Sequence, residues 1–98
     1  MHTIALSLPA EVTQANAPAV LAQLQATLQS LMKEEDAVVE MDVSALQQFD
    51  SSVLAVLMAV RRMTHKQKGK WQVRGCSDRL MRLAGVYGVK RLLFTPEL

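Results

Sequence analysis

Along the chain, apolar positions recur first with a period of two, then with a helical period, and this exchange continues almost to the C-terminus. Thr3-Ile-Ala-Leu-Ser-Leu8 alternates and predicts a short strand that stops at Pro9. With Thr13 or Asn16 as cap and Pro18 in the first turn, Val20, Leu21, Leu24, Leu28, Leu31 and Met32 trace an amphipathic helix to about Lys33. Its other face is mostly Gln, Ser and Ala and suits solvent. Glu34-Glu-Asp36 reads as a solvated turn, and Ala37–Val43 as a strand buried on at least one face. Ser44–Asp50 is expected to be a loop with Leu46 and Phe49 turned inward. A second helix follows over Ser52–Lys66, then a polar turn through Gly69 and a strand at Trp71–Arg74. Ser77 is the expected N-cap of a short helix whose apolar side holds Leu80, Met81, Leu83 and Ala84 and which ends by Gly85 and Gly88. Arg91–Phe94 is expected to form a last short strand before Pro96. Strands alternating with helices imply an α/β fold with a parallel or mixed sheet.

The second helix departs from simple amphipathicity. Val53-Leu-Ala-Val-Leu-Met-Ala-Val60 is apolar all round for two turns, so something must cover both sides. Leu54, Leu57 and Arg61 share one stripe, Val53, Val56 and Val60 another, with Met58 between. Either the helix lies centrally between two others, or one stripe, with Met58, Ser51 and Ser52, docks a partner.

A chain of 98 residues, half of them hydrophobic and a fifth charged, is expected to form one folded domain with one core spanning 1–98. The N-terminus has no basic region leading into a long apolar segment, and no run approaches the roughly 20 apolar residues that span a bilayer. The expectation is a cytoplasmic protein. Cys76 is the only cysteine, which excludes an intramolecular disulfide and a metal site of clustered thiolates. Charge is unevenly spread: residues 1–50 carry one Lys and seven acids, net −6, and residues 51–98 carry ten Lys or Arg and two acids, net +8. A basic half without zinc-finger spacing, RNP aromatics or a recognition helix gives nucleic-acid binding little support.

Candidate catalytic groups do not converge. His2 and His65 belong to no ligand motif, Cys76 fits a tight strand-to-helix junction, and the spacing of Asp42 and Asp50 defines no acid pair. No phosphate-binding glycine loop occurs. Binding rather than catalysis is expected, with no cofactor and no metal.

The segment Val39-Glu-Met-Asp-Val-Ser-Ala-Leu-Gln-Gln-Phe-Asp-Ser-Ser-Val-Leu-Ala-Val-Leu57 resembles the central signature of STAS domains: a hydrophobic strand, Asp-hydrophobic-Ser, then hydrophobic-Asp-Ser/Thr-Ser/Thr-Gly-Leu opening a helix. Leu8-Pro-Ala-Glu-Val-Thr13 is similar to the family's early turn, and Val73 to Tyr87 to its last strand and helix. The resemblance spans nearly the whole chain and implies a STAS-like α/β domain with helices mainly on one face of the sheet. Two stand-alone kinds of STAS domain fit. Anti-sigma-factor antagonists resemble the chain in Asp50-Ser51-Ser52, which would make Ser52 the serine phosphorylated by a partner kinase. The STAS subunit of Mla-type phospholipid ABC transporters is the closer likeness, in length, in the Leu-Pro-x-Glu-hydrophobic opening and in Leu83-Ala-Gly-Val-Tyr87. That resemblance implies a non-catalytic subunit regulating or stabilising the transporter ATPase, in complex with the permease, in phospholipid transport that maintains outer-membrane lipid asymmetry. Its location would be peripheral, at the inner membrane. Partner contacts would then fall on Asp50, Ser51, Ser52, Val53, Leu54, Met58, Arg61 and Arg62, with Ser51 in the place of a threonine at the ATPase contact. The family's glycine after the Ser/Thr pair is Val53 here, which argues against kinase recognition of Ser52 and for an enlarged docking surface.

Overall fold

The computed structural model describes residues 2–33 and 36–97. The alternating N-terminal run forms β1 (Thr3–Ser7), followed by a two-residue strand β2 (Glu11–Val12) and helix α1 (Ala17–Leu31). β3 (Val38–Asp42), β4 (Gln48–Phe49), helix α2 (Ser52–Lys66) and β5 (Lys70–Arg74) come next, then helices α3 (Asp78–Val86) and α4 (Lys90–Phe94). Of the acidic turn, Glu34 and Glu35 lie outside the described residues.

The main sheet is parallel in the order β1-β3-β5, and the period of two decides its faces. Ile4, Val39 and Trp71 stand in one row and Leu6, Met41 and Val73 in the next; all but half-buried Val73 are buried. α1, α2 and α4 pack on this side. The opposite face carries Ala5, Glu40 and Gln72 in one row and Ser7, Asp42 and Arg74 in the next. Parallel sheets are usually covered on both faces. Here the opposite face, apart from buried Val38 in its first row, is instead mostly polar and cross-linked: Gln72 Nε2 donates to Glu40 Oε2 at 2.6 Å, and the Arg74 guanidinium lies 3.5 Å from Glu40 and 3.2 Å from Asp42.

Two expectations change. The Ser44–Asp50 loop contains β4, which pairs in parallel with β2; two-residue strands are too short to leave a periodic trace. The C-terminal run, expected as a strand, is the helix α4. Lys, Arg and Leu favour helix over strand, the run has no β-branched residue, and a helical turn buries Leu93 completely. The Leu93 carbonyl accepts the indole N–H of buried Trp71 at 2.9 Å. α4 explains the second helix: α2 lies between α1 and α4 over the sheet, so both of its apolar stripes are core.

Candidate docking surface at the start of the second helix

Asp50 organises this end of the molecule. Its Oδ2 accepts the Gln14 N–H at 2.9 Å, in the turn before α1, and its Oδ1 accepts the Ser52 N–H at 2.8 Å, at the start of α2. Its backbone N–H donates to the Val12 carbonyl at 3.3 Å. One carboxylate thus fixes two helix entrances together. The amide bonds from Gln14 and then Ser52 hold the Asp50 carboxyl below the usual aspartate range, since they favour the ionised form. The negative charge also suits the positive end of α2. Ser51, in the N-cap place, has helical backbone and makes no capping bond with its side chain, so the cap on α2 is Asp50. At α1 the expected cap Asn16 turns its side chain back: Oδ1 accepts from Thr13 N–H and Nδ2 donates to the Glu11 carbonyl, each at 2.8 Å.

The structure divides the expected contact residues of α2. Val53 is fully buried and Leu54 is 5% exposed. Both are therefore corrected from docking surface to core, because their stripes face the sheet and the flanking helices; the side chain that replaces the family glycine fills the interior. Exposed or half-exposed are Ser51, Met58 and Arg62, which with Ala55 follow the spacing 51, 55, 58, 62 and form one stripe along the outer side of α2. Ser52 is half-buried on its flank. Arg61 turns away from this stripe; its Nε is buried without a hydrogen-bond partner, and its charge helps to lower Glu97.

Beside the stripe lies a shallow groove of about 340 Å³ between the first turns of α1 and α2. Gln14, Ala17, Pro18 and Leu21 form one wall, Ser52, Ala55 and Val56 the other. Sequence reasoning missed Ala55 and the α1 wall. The usable signal was smallness: Ala17 and Ala55 line opposite walls of the groove, and small side chains leave a depression.

A family model described as "Mlab, STAS domain" matches residues 1–95. The chain belongs to the STAS domain family. Among solved structures, this STAS domain is similar to "The Structure of an Anti-sigma-factor antagonist (STAS) domain protein from Planctomyces limnophilus", with a TM-score of 0.72 and 17% identity over 95% of this chain and 83% of that one. No curated protein matches the sequence significantly. STAS domains act by engaging partner proteins and are generally non-catalytic.

The remaining polar candidates of this STAS domain serve its architecture. Ser77 caps α3 by accepting the Leu80 N–H at 3.1 Å. Cys76 is partly buried, and burial, with the Asp78 charge, pushes its thiol up, away from thiolate reactivity. His65 is exposed, with its Nε2 2.9 Å from both Glu97 oxygens, and Glu97 also accepts the Trp71 N–H at 2.6 Å. Burial raises the Glu97 carboxyl, but the bonds from His65 and Trp71 outweigh it and leave it lowered. Among the described residues no cluster of His, Cys, Asp and Glu could hold a metal ion, and no helix is long and apolar enough to cross a membrane.

Proposed function

We propose that this STAS domain is the non-catalytic subunit of a Mla-type phospholipid ABC transporter and docks on its ATPase through the outer stripe of α2 and the adjoining groove. It would sit at the cytoplasmic side of the inner membrane, held there by the complex with the permease. The observation that carries the reading is the stripe Ser51-Ala55-Met58-Arg62, left uncovered by α1 and α4 and bordered by an apolar groove. The Mla-type family model adds support. Met58 and the groove supply apolar anchors, Asp50 fixes the loop that presents Ser51 and Ser52, and Arg62 with Lys66 offers positive charge to an acidic rim. The partner would hydrolyse the ATP.

Purification of the tagged chain from its native cells should recover an ABC ATPase. Ala55→Glu, at an exposed position of α2, and Met58→Glu, at a half-buried one that also touches the core, should abolish that recovery, the Ala55 variant with the fold intact by circular dichroism. Truncation of an anchor, as in Met58→Ala, should cost more than about 1 kcal/mol of binding. Recovery of a serine-kinase anti-sigma factor instead would replace this reading with the second one. That reading, an anti-sigma-factor antagonist, is favoured by one feature: Ser52 lines the groove. Phosphate there would bring about −1.5 to −2 charge beside the Asp50 carboxylate and oppose docking. Mass spectrometry of the native protein should find phosphate on Ser52 if this second role holds.

A further inference from the structure

The two edges of the main sheet are finished differently. On β5, the Lys70 N–H donates to the Ala37 carbonyl at 2.8 Å and the Arg74 carbonyl accepts from Val43 at 2.9 Å. Alternation along a parallel ladder then turns the backbone of Trp71 and Val73 outward. Glu97 takes the Trp71 amide and α4 packs against the strand, so the C-terminal segment covers part of that edge.

On β1, the His2 carbonyl accepts from Val38 at 2.7 Å and the Leu8 N–H donates to Asp42 at 3.0 Å. By the same alternation Thr3, Ala5 and Ser7 present their N–H and C=O groups to the open side, and all three are exposed. Among the described residues only β3 pairs with β1. Exposed edges are normally guarded by charge, proline or a bulge; Thr3–Ser7 contains neither charge nor proline, Pro9 stands two residues beyond its end, and between His2 and Lys33 the sole charged residue is Glu11. A cavity of about 380 Å³ runs beside this edge, lined by Leu6, Leu8, Val20 and Leu24 with Gln23 and Thr27 of α1. The groove at the start of α2 uses a different side of α1, formed by Ala17, Pro18 and Leu21.

We propose that two copies of this chain pair antiparallel through β1 about a twofold axis at Ala5, joining their sheets into one of six strands. The strand matches itself in this register. Ala5 meets Ala5, the smallest pair, on the axis; Thr3 meets Ser7, hydroxyl against hydroxyl; Ile4 meets Leu6 on the helix-covered face. The outward groups of Thr3, Ala5 and Ser7 form hydrogen-bonded pairs. Both copies of α1 come to the same side, and no charged side chain of β1 or α1 meets its like, although residues 51–98 carry net +8. A five-residue strand spans roughly 17 Å and α1 about 22 Å. A strip of that length, one strand and one helix thick, approaches the roughly 600 Å² per partner at the lower end of specific interfaces, the size range of weak, reversible association.

Sedimentation equilibrium of the whole chain, from low micromolar to near-millimolar protein, should show a reversible monomer–dimer equilibrium. Ala5→Pro removes an outward N–H without touching the bonds to β3 and should raise the dissociation constant at least tenfold. The double change Gln23→Glu with Thr27→Glu leaves the strand intact and should do the same, which keeps the test meaningful if proline unfolds the chain. In a Cys76→Ser background, Ala5→Cys should oxidise to a covalent dimer, since hydrogen-bonded antiparallel partners lie about 5.5 Å apart at Cα. A wild-type chain that stays monomeric throughout overturns the proposal. So does a dimer that survives both α1 changes, or one lost on Met58→Glu while the β1 and α1 variants still associate.

Discussion

Asp50 and Asp42 show how a single carboxylate can carry local geometry. Asp50 accepts amides from two helix entrances; Asp42 is held down to about 2 by the hydroxyl and amide of Ser44 and by Arg74. In both, the folded state lowers the pKa, so their stabilisation is complete above the unfolded value near 3.8 and is lost as pH falls through the folded value. Urea titrations from pH 7 to pH 2 should show stability falling with acid, steepest for Asp42 between about 3.8 and about 2. Asp42→Asn and Asp50→Asn should each lower stability at neutral pH and flatten that acid limb. Gly75 is another residue whose backbone geometry is demanding. Its φ is +78°, and a Cβ there would stand 2.7 Å from the Ser44 Cβ. Gly75→Ala should therefore cost about 1–3 kcal/mol, read from the urea midpoint.

At the level of elements, α2 was legible in extent and half legible in role. The length and the excess of apolar residues stand in the sequence, but which stripe faces outward depends on what packs beside it. Restoring the family glycine tests the outcome: Val53→Gly should cost about 2–4 kcal/mol, from lost burial and a flexible helix position. Leu54→Ala should cost about 2–5 kcal/mol by leaving a cavity. Both should lower the urea midpoint in the isolated protein; unchanged stability for either would return that residue to the docking surface. α4 was misread because five residues contain too little pattern to separate strand from helix. Its place is secured by Leu93, and Leu93→Ala should cost about 2–5 kcal/mol and shift Trp71 fluorescence to the red as water reaches the indole.

For the molecule as a whole, opposite charges in the two halves of the chain are partly spent within the fold, Arg74 against Glu40 and Asp42, and Arg79 over the Phe49 ring at 4.4 Å with its Nη2 on the Gln47 carbonyl. Arg62 remains on the outer stripe. In binding kinetics with the ATPase, Arg62→Ala should slow association and weaken its salt dependence, whereas Met58→Ala should mainly speed dissociation.

The sequence by itself determined the alternating strands and helices, the polar and apolar faces of β1 and α1, the Ser77 cap and the STAS signature around Asp50, because each is written in neighbouring residues through period, capping chemistry or motif. The tertiary structure alone decided that Val53 and Leu54 are interior, that the outer stripe of α2 runs through Ala55, and that α1 supplies the other wall of the groove. Those facts depend on elements far apart in the chain. An apolar residue carries the same hydrophobic driving force toward the core or toward a partner, and only the arrangement of α1, α4 and the sheet around α2 separates the two.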